Sequence, residues 1–132
     1  MSETIERLRR GYAAWNRRDW EDLFSMIDPE MEWMPMDGTL LGGPFRGHDQ
    51  VREFLETLMD AWDEFRIEPE DFIERDDQVL ALVRVRTHAR SSGIELDERW
   101  AHLWTTRDGL AVRLEVFSDR RAVLERFGPT DT

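Results

Sequence analysis

The 132-residue chain has no cysteine and no lysine, and each absence narrows what it can be. Without Cys there are no disulfides, no thiolate metal sites and no Cys nucleophile. All 18 basic residues are Arg, which we read as a bias of codon usage. Positive charge is scarce: 18 bases face 29 acids, for a net charge of −11, which disfavours binding to nucleic acid or to an anionic membrane. No apolar run reaches the ~20 residues of a membrane-spanning helix. The opening MSETIERLRR lacks the apolar stretch of a signal peptide, so a cytoplasmic protein is expected. The three His are scattered, with no His-x-x-x-His pair, so neither a metal site nor a cofactor is expected. Gly42-Gly43-Pro44 lacks the Lys and following hydroxyl of a phosphate loop.

What is present is 40% hydrophobic and 36% charged, the balance of one globular domain spanning 1–132. Ile5, Leu8, Tyr12 and Trp15 recur at helical spacing, which predicts a helix over about 3–16. Asp19 is placed to cap a second helix through Ile27, ended by Asp28-Pro29. A short strand is expected over Met31–Met36, then a Gly-rich loop over Asp37–Gly47. A third helix should run from His48 to about Asp63, burying Val51, Phe54, Leu55, Leu58 and Trp62. Strands are expected over Phe65–Glu74, edge-like because of Pro69, and over Gln78–Arg90. A hairpin turning at Asp108-Gly109 and a helix over Arg120–Phe127, with Gly128 and Pro129 as stops, complete the chain. Helices followed by consecutive antiparallel strands make the class α+β: a cone-shaped roll, a curved, mostly antiparallel sheet wrapped around helices. The mouth of such a cone is a ligand site.

The hairpin fixes a register. If Arg107 pairs with Leu110 without interruption, Leu103 opposes Leu114, Ala101 opposes Val116, His102 opposes Glu115 and Trp104 opposes Arg113. His102 and Glu115 then form either a general acid–base pair or a cross-strand polar pair on the outer face. Arg84, Arg86, Trp100, His102 and Trp104 would together present an aromatic, Arg-rich surface of the kind that joins two copies, so a homodimer is expected.

YAAWNRRDWEDLFSMID, FRGHDQVREFL and HLWTTRDGLAVRLEVFSDR, in this order of elements, resemble the nuclear transport factor 2-like (NTF2-like) superfamily and, within it, the SnoaL-like group related to polyketide cyclases. The resemblance covers nearly the whole chain and implies the cone fold. It does not fix an activity, because the superfamily holds polyketide cyclases, ketosteroid isomerases, epoxide hydrolases and binding proteins. Matched strand to strand, the relatives' acids and their partners fall here on Met34, Val83, Val85, Ala101 and Val116, all apolar, whereas the isomerases' helix-one Tyr is matched by Tyr12. The resemblance therefore implies a cavity walled by aliphatic groups. Asp97 and Arg99 share that parity and would form a polar patch, with Thr87 across from Asp97. Trp15, Trp33 and Trp62 are candidates to line the pocket, or else to pack as core.

The expectation is thus a protein that binds a small hydrophobic molecule through Trp15, Trp33, Met34, Trp62, Val83, Val85, Asp97, Arg99, Ala101 and Val116, without metal, cofactor, nucleic acid or membrane. One alternative is a cofactor-free isomerase, cyclase or epoxide hydrolase, with Tyr12 as donor and Asp37 or His48 as a base in a loop over the mouth. Another is a dimerisation module whose cavity is filled by its own side chains.

Overall fold

Helix α1 (Glu3–Arg17) is set at both ends by local chemistry. The Ser2 hydroxyl accepts from the Ile5 amide, Glu3 and Glu6 lie in the positively poled first turn, and Arg18 ends the helix in a left-handed conformation at φ 58°. Leu8, Tyr12 and Trp15, three to four residues apart, form its buried stripe. The computed structural model describes residues 2–35 and 44–127.

Helix α2 (Trp20–Phe24) is capped by Asp19, as expected, but stops three residues short of Ile27. Strand β1 (Ile27–Met34) begins there, because the Met26 carbonyl accepts from the Ala111 amide and draws Ile27 into the sheet. Pro29 is accommodated by an irregularity between Ile27 and Glu32, where a missing amide donor breaks no ladder bond. Met36 and most of the Gly-rich loop, Asp37 included, lie outside the described residues.

After β2 (Phe45–Arg46), helix α3 (Gly47–Asp60) buries Val51, Phe54, Leu55 and Met59, with Leu58 half-buried. Trp62 is not on this helix. It opens β3 (Trp62–Arg75), where it pairs with Ala89. Strands β4 (Gln78–Ala89), β5 (Glu95–Arg107) and β6 (Leu110–Phe117) follow, and α4 (Arg120–Phe127) ends the described chain. The sheet order is β2-β1-β6-β5-β4-β3, antiparallel throughout except for β1 with β6. The α+β roll is therefore as expected, with β3, the strand containing Pro69, on the edge. Asn16 clamps that edge to α1: its amide donates to the Ile67 carbonyl and its oxygen accepts from the Ile67 amide, both at 2.9 Å.

The hairpin turn is as read, with Asp108 (φ 53°) and Gly109 (φ 82°) both at positive φ and Arg107 opposite Leu110. The register beyond it is not. Thr106 opposes Ala111 but Thr105 opposes Arg113, so Val112 is an extra residue on β6. From there inward every pair shifts by one. His102 opposes Val116, Leu103 opposes Glu115 and Trp104 opposes Leu114. Since neighbours on a strand face opposite ways, His102 and Trp104 share the inner face with Val116 and Leu114, and with Ala81 and Val79 of β4, while Leu103 and Ala101 face outward.

Two apolar clusters result, and they share β5. The larger lies between the sheet and α1, α2 and α3, and holds Met31, Leu55, Val79, Val83, Val85, Trp104 and Leu114. The smaller joins Leu80, Ala101 and Leu103 to Val123 of α4. Each fully buried aliphatic side chain contributes on the order of 1.5–3 kcal/mol, so the second cluster is sufficient to hold an eight-residue helix in place. Arg120 adds to this attachment by donating to the Trp100 and Val83 carbonyls.

Candidate functional site

The larger cluster does not fill its space. A cavity of about 310 Å³ runs along α1 past Leu8, Gly11, Tyr12 and Trp15, with β5 opposite. Of the six tryptophans, Trp15, Trp33, Trp62, Trp100 and Trp104 line it, beside aliphatic groups such as Leu23, Ile27, Leu58, Ile67, Leu114 and Val116, so its surface is mostly apolar and in part aromatic. Its size falls at the lower end of small-molecule sites. The expectation of a cavity filled by its own side chains is therefore not met.

One polar constellation interrupts this wall. The Tyr12 hydroxyl stands 2.7 Å from Nδ1 of His102, and the Trp104 indole N–H donates to the Tyr12 oxygen at 2.9 Å. The three rings brace one another: Tyr12 stacks on His102 with centroids 5.7 Å apart, and Trp104 meets both edge-on. α1 supplies the tyrosine, and β5 supplies the other two at alternate positions, on the inner face with Leu114 and Val116.

The protons can be placed from the donors and acceptors. Trp104 is a donor only, so the Tyr12 oxygen accepts from it and the hydroxyl proton is free for Nδ1. His102 with its proton on Nδ1 would aim a second donor at the same oxygen and leave the hydroxyl proton without a described acceptor. The satisfied arrangement carries the imidazole proton on Nε2. No described residue bonds Nε2, and His102 lines the cavity. Burial pushes the His102 pKa down to about 3 and raises that of Tyr12 well above its usual value. At neutral pH the cavity therefore presents an uncharged imidazole donor, not an imidazolium.

The other expected site residues separate. Tyr12, Trp15, Trp33, Trp62 and Val116 line the cavity. Val83 and Val85 lie on the same side of the sheet but are packed within the cluster and away from the open space. Met34 alternates with Trp33 and falls beside Glu115 on the opposite face. Ala101 is in the smaller cluster under α4. Asp97 and Arg99 are outside: Asp97 opposes Arg86, not Thr87, and pairs with Arg84 at 2.6 Å, while Arg99 pairs with Glu70 at 3.3 Å. The one-residue shift of β5 against its neighbours accounts for the corrections at Ala101, Asp97 and Arg99. It also removes the expected His102–Glu115 pair and divides the surface expected to join two copies. Arg84 and Arg86 face outward, while Trp100, His102 and Trp104 line the cavity.

His48 stands away from the cavity, where its Nε2 bonds the Ile27 carbonyl at 2.9 Å and its ring meets Phe24. Asp37 lies outside the described residues. Among the described residues no group of three or more His, Asp or Glu is placed to hold a metal, and no helix is long and apolar enough to cross a membrane. His102 is the cavity residue that sequence reasoning placed on the wrong face. The available signal was its position among apolar residues, between Ala101 and Leu103 and two from both Trp100 and Trp104.

Residues 8–114 match the model of the SnoaL-like domain. An uncharacterized protein of Mycobacterium tuberculosis is 34% identical over 125 residues, spanning 93% of this chain and 94% of that one. Among solved structures, an NTF2-like protein of unknown function from Burkholderia pseudomallei superposes with a TM-score of 0.83 at 27% identity, covering 95% of this chain and 97% of its own. TerC, co-crystallised with polyporic acid, superposes with a TM-score of 0.80 at 31% identity, covering 94% and 97%.

Proposed function

This chain belongs to the SnoaL-like family of the NTF2-like superfamily, and from that premise we propose that it binds a compact aromatic molecule carrying an oxygen acceptor, which His102 Nε2–H engages inside the cavity. The observation that carries this reading is the Trp104–Tyr12–His102 chain of hydrogen bonds, which ends at a histidine lining a mostly apolar cavity with its Nε2 unbonded by any described residue. Apolar walls supply most of the affinity, and a single fixed polar group orients the ligand. The co-crystal of TerC with polyporic acid supports an oxygenated ligand and makes that compound a suitable first probe.

The test compares fluorene with fluorenone, which share a shape and differ by one carbonyl oxygen. Tryptophan emission reports binding, since five indoles line the cavity. Fluorenone should bind about tenfold more tightly than fluorene, the worth of one buried hydrogen bond, and His102→Phe should abolish the difference. Equal binding of the two by the wild type would overturn the reading.

A second reading is favoured by the neutral state of His102. A buried imidazole N–H fixed by Tyr12 is suited to stabilise negative charge developing on a carbonyl oxygen, as in a cofactor-free isomerase or cyclase. With its pKa at about 3, His102 is a poor general base at neutral pH, so this chemistry would need a base from elsewhere.

A further inference from the structure

At one end of the cavity stand Thr4, Arg7, Thr106 and Gly109. Arg7 is exposed there and reaches across to the hairpin, donating from one guanidinium nitrogen to the Gly109 carbonyl at 2.8 Å. Gly109 makes room for it: a Cβ at that position would come within 1.9 Å of the Arg7 nitrogen.

The charge of Arg7 is not neutralised by any described carboxylate. Its helix neighbours are engaged otherwise, Arg10 by Asp22 at 2.6 Å and Arg9 over the Phe72 ring. This is a chain in which 29 acids face 18 bases, and paired arginines cover the outer sheet face. A cation held by a neutral carbonyl keeps most of its donors and its full charge for another partner. Trp62, Phe65 and Trp100, without a charged group among them, line the cavity elsewhere.

We propose that Arg7 is a specificity-determining residue that selects anionic aromatic ligands, binding a terminal carboxylate or comparable oxyanion at the rim while the ring system lies inside. This rests on the cavity reading above and adds the ligand's charge and length. Thr106 lies four strand steps beyond His102, about 13 Å at ~3.3 Å per residue. A ligand that satisfies both Arg7 and His102 therefore has an anionic group and an oxygen acceptor at opposite ends of two or three rings. The net charge of −11 repels anions from the surface generally, so selection must come from this local cation.

The probes are 4′-hydroxybiphenyl-4-carboxylate and its methyl ester, titrated against tryptophan emission and by calorimetry. The wild type should prefer the acid by about tenfold, as a charge-assisted hydrogen bond implies. Arg7→Gln keeps an amide donor for Gly109 and removes the charge, so the acid-to-ester ratio should collapse towards one. Arg7→Lys should retain the preference. A ratio that survives Arg7→Gln, or that is absent from the wild type although the ester binds, overturns the role of Arg7 and leaves the cavity reading standing. Failure of the wild type to bind either compound or fluorenone overturns both.

Discussion

Tyr12 and His102 are 90 residues apart in the chain and share a hydrogen bond of 2.7 Å in the wall of a mostly apolar cavity. Neither group is charged at neutral pH, and each fixes the proton of the other. The bond ties the first helix to the fifth strand and leaves Nε2 without a described partner.

Tyr12→Phe removes the only described partner of Nδ1 and of the Trp104 indole at once. Two buried polar groups lose their bonds, so stability should fall by about 1–3 kcal/mol, read as a lower urea midpoint at constant slope. Trp104→Phe removes one donor and leaves the Tyr12–His102 bond intact, so the hydrogen-bond part of its loss should be smaller. Should Tyr12→Phe prove neutral, the assignment of donors and acceptors is wrong.

The pH dependence follows from His102. Its pKa is about 3 folded, because burial disfavours the charged ring, against an ordinary value of 6.5. Between these values the unfolded chain binds a proton that the folded one does not, so stability is full above pH 6.5 and declines as pH falls towards 3. The slope from this group is up to about 1.4 kcal/mol per pH unit. Asp22, Glu70 and Asp97, lowered chiefly by hydrogen bonds from Arg10, Arg120 and Arg84 respectively, add losses of the same sign, but only as pH drops into the carboxylate range. Urea midpoints of wild type and His102→Gln between pH 6.5 and 5 isolate the histidine. The variant should show a flat profile where the wild type slopes.

Deleting Val112 would restore an uninterrupted ladder behind the Asp108-Gly109 turn. Thr105 would still oppose Arg113 and Trp104 would still oppose Leu114, so Leu114 and Val116 keep facing the cavity and only the local bend of the bulge is lost. The deletion variant should therefore fold and keep the near-ultraviolet circular dichroism of the wild type. Val112→Ala keeps the residue count and should do the same. Loss of that signal in the deletion variant alone would show that the bend of the bulge, and not the register, holds the cavity wall in place.

The catalytic reading has its own assay. Turnover should be sought on a panel of ketosteroids, epoxides and polyketide-like methyl esters. We expect none above background at neutral pH, since His102 is a weak base and a positioned base is worth ~10²–10⁴-fold. Turnover that Tyr12→Phe reduces at least tenfold would establish the isomerase or cyclase reading instead.

How much of this could be read in the sequence depends on whether each element has one buried face or two. α1 has one, so its stripe of Leu8, Tyr12 and Trp15 marked both the helix and the side that faces the cavity. α4 was legible to the residue, because Ser118 and Asp119 precede it and Gly128 and Pro129 follow. β5 has two buried faces. Ala101, His102, Leu103 and Trp104 are all buried, two under α4 and two in the cavity, so the alternation that tells inside from outside is absent where it matters. The turn was legible from Asp108-Gly109, but nothing in TTRDGLAVRL marks Val112 as an extra residue. The end of α2 was missed because Ile27 continues the helical spacing while its backbone is claimed by β6, a tertiary contact that local preference does not reveal.

The bulge at Val112 also governs how residues can be transferred between this chain and its relatives. An alignment drawn without a gap through the hairpin exchanges inside for outside along the whole of β5 and assigns Ala101, rather than His102, to the pocket. A bulge absorbs its extra residue and leaves the pairs on either side in place, so gain or loss of residue 112 shifts the numbering of β6 against β5 while both walls keep their faces. Residues of the two walls therefore transfer correctly only when each strand is matched separately, with the gap placed at position 112.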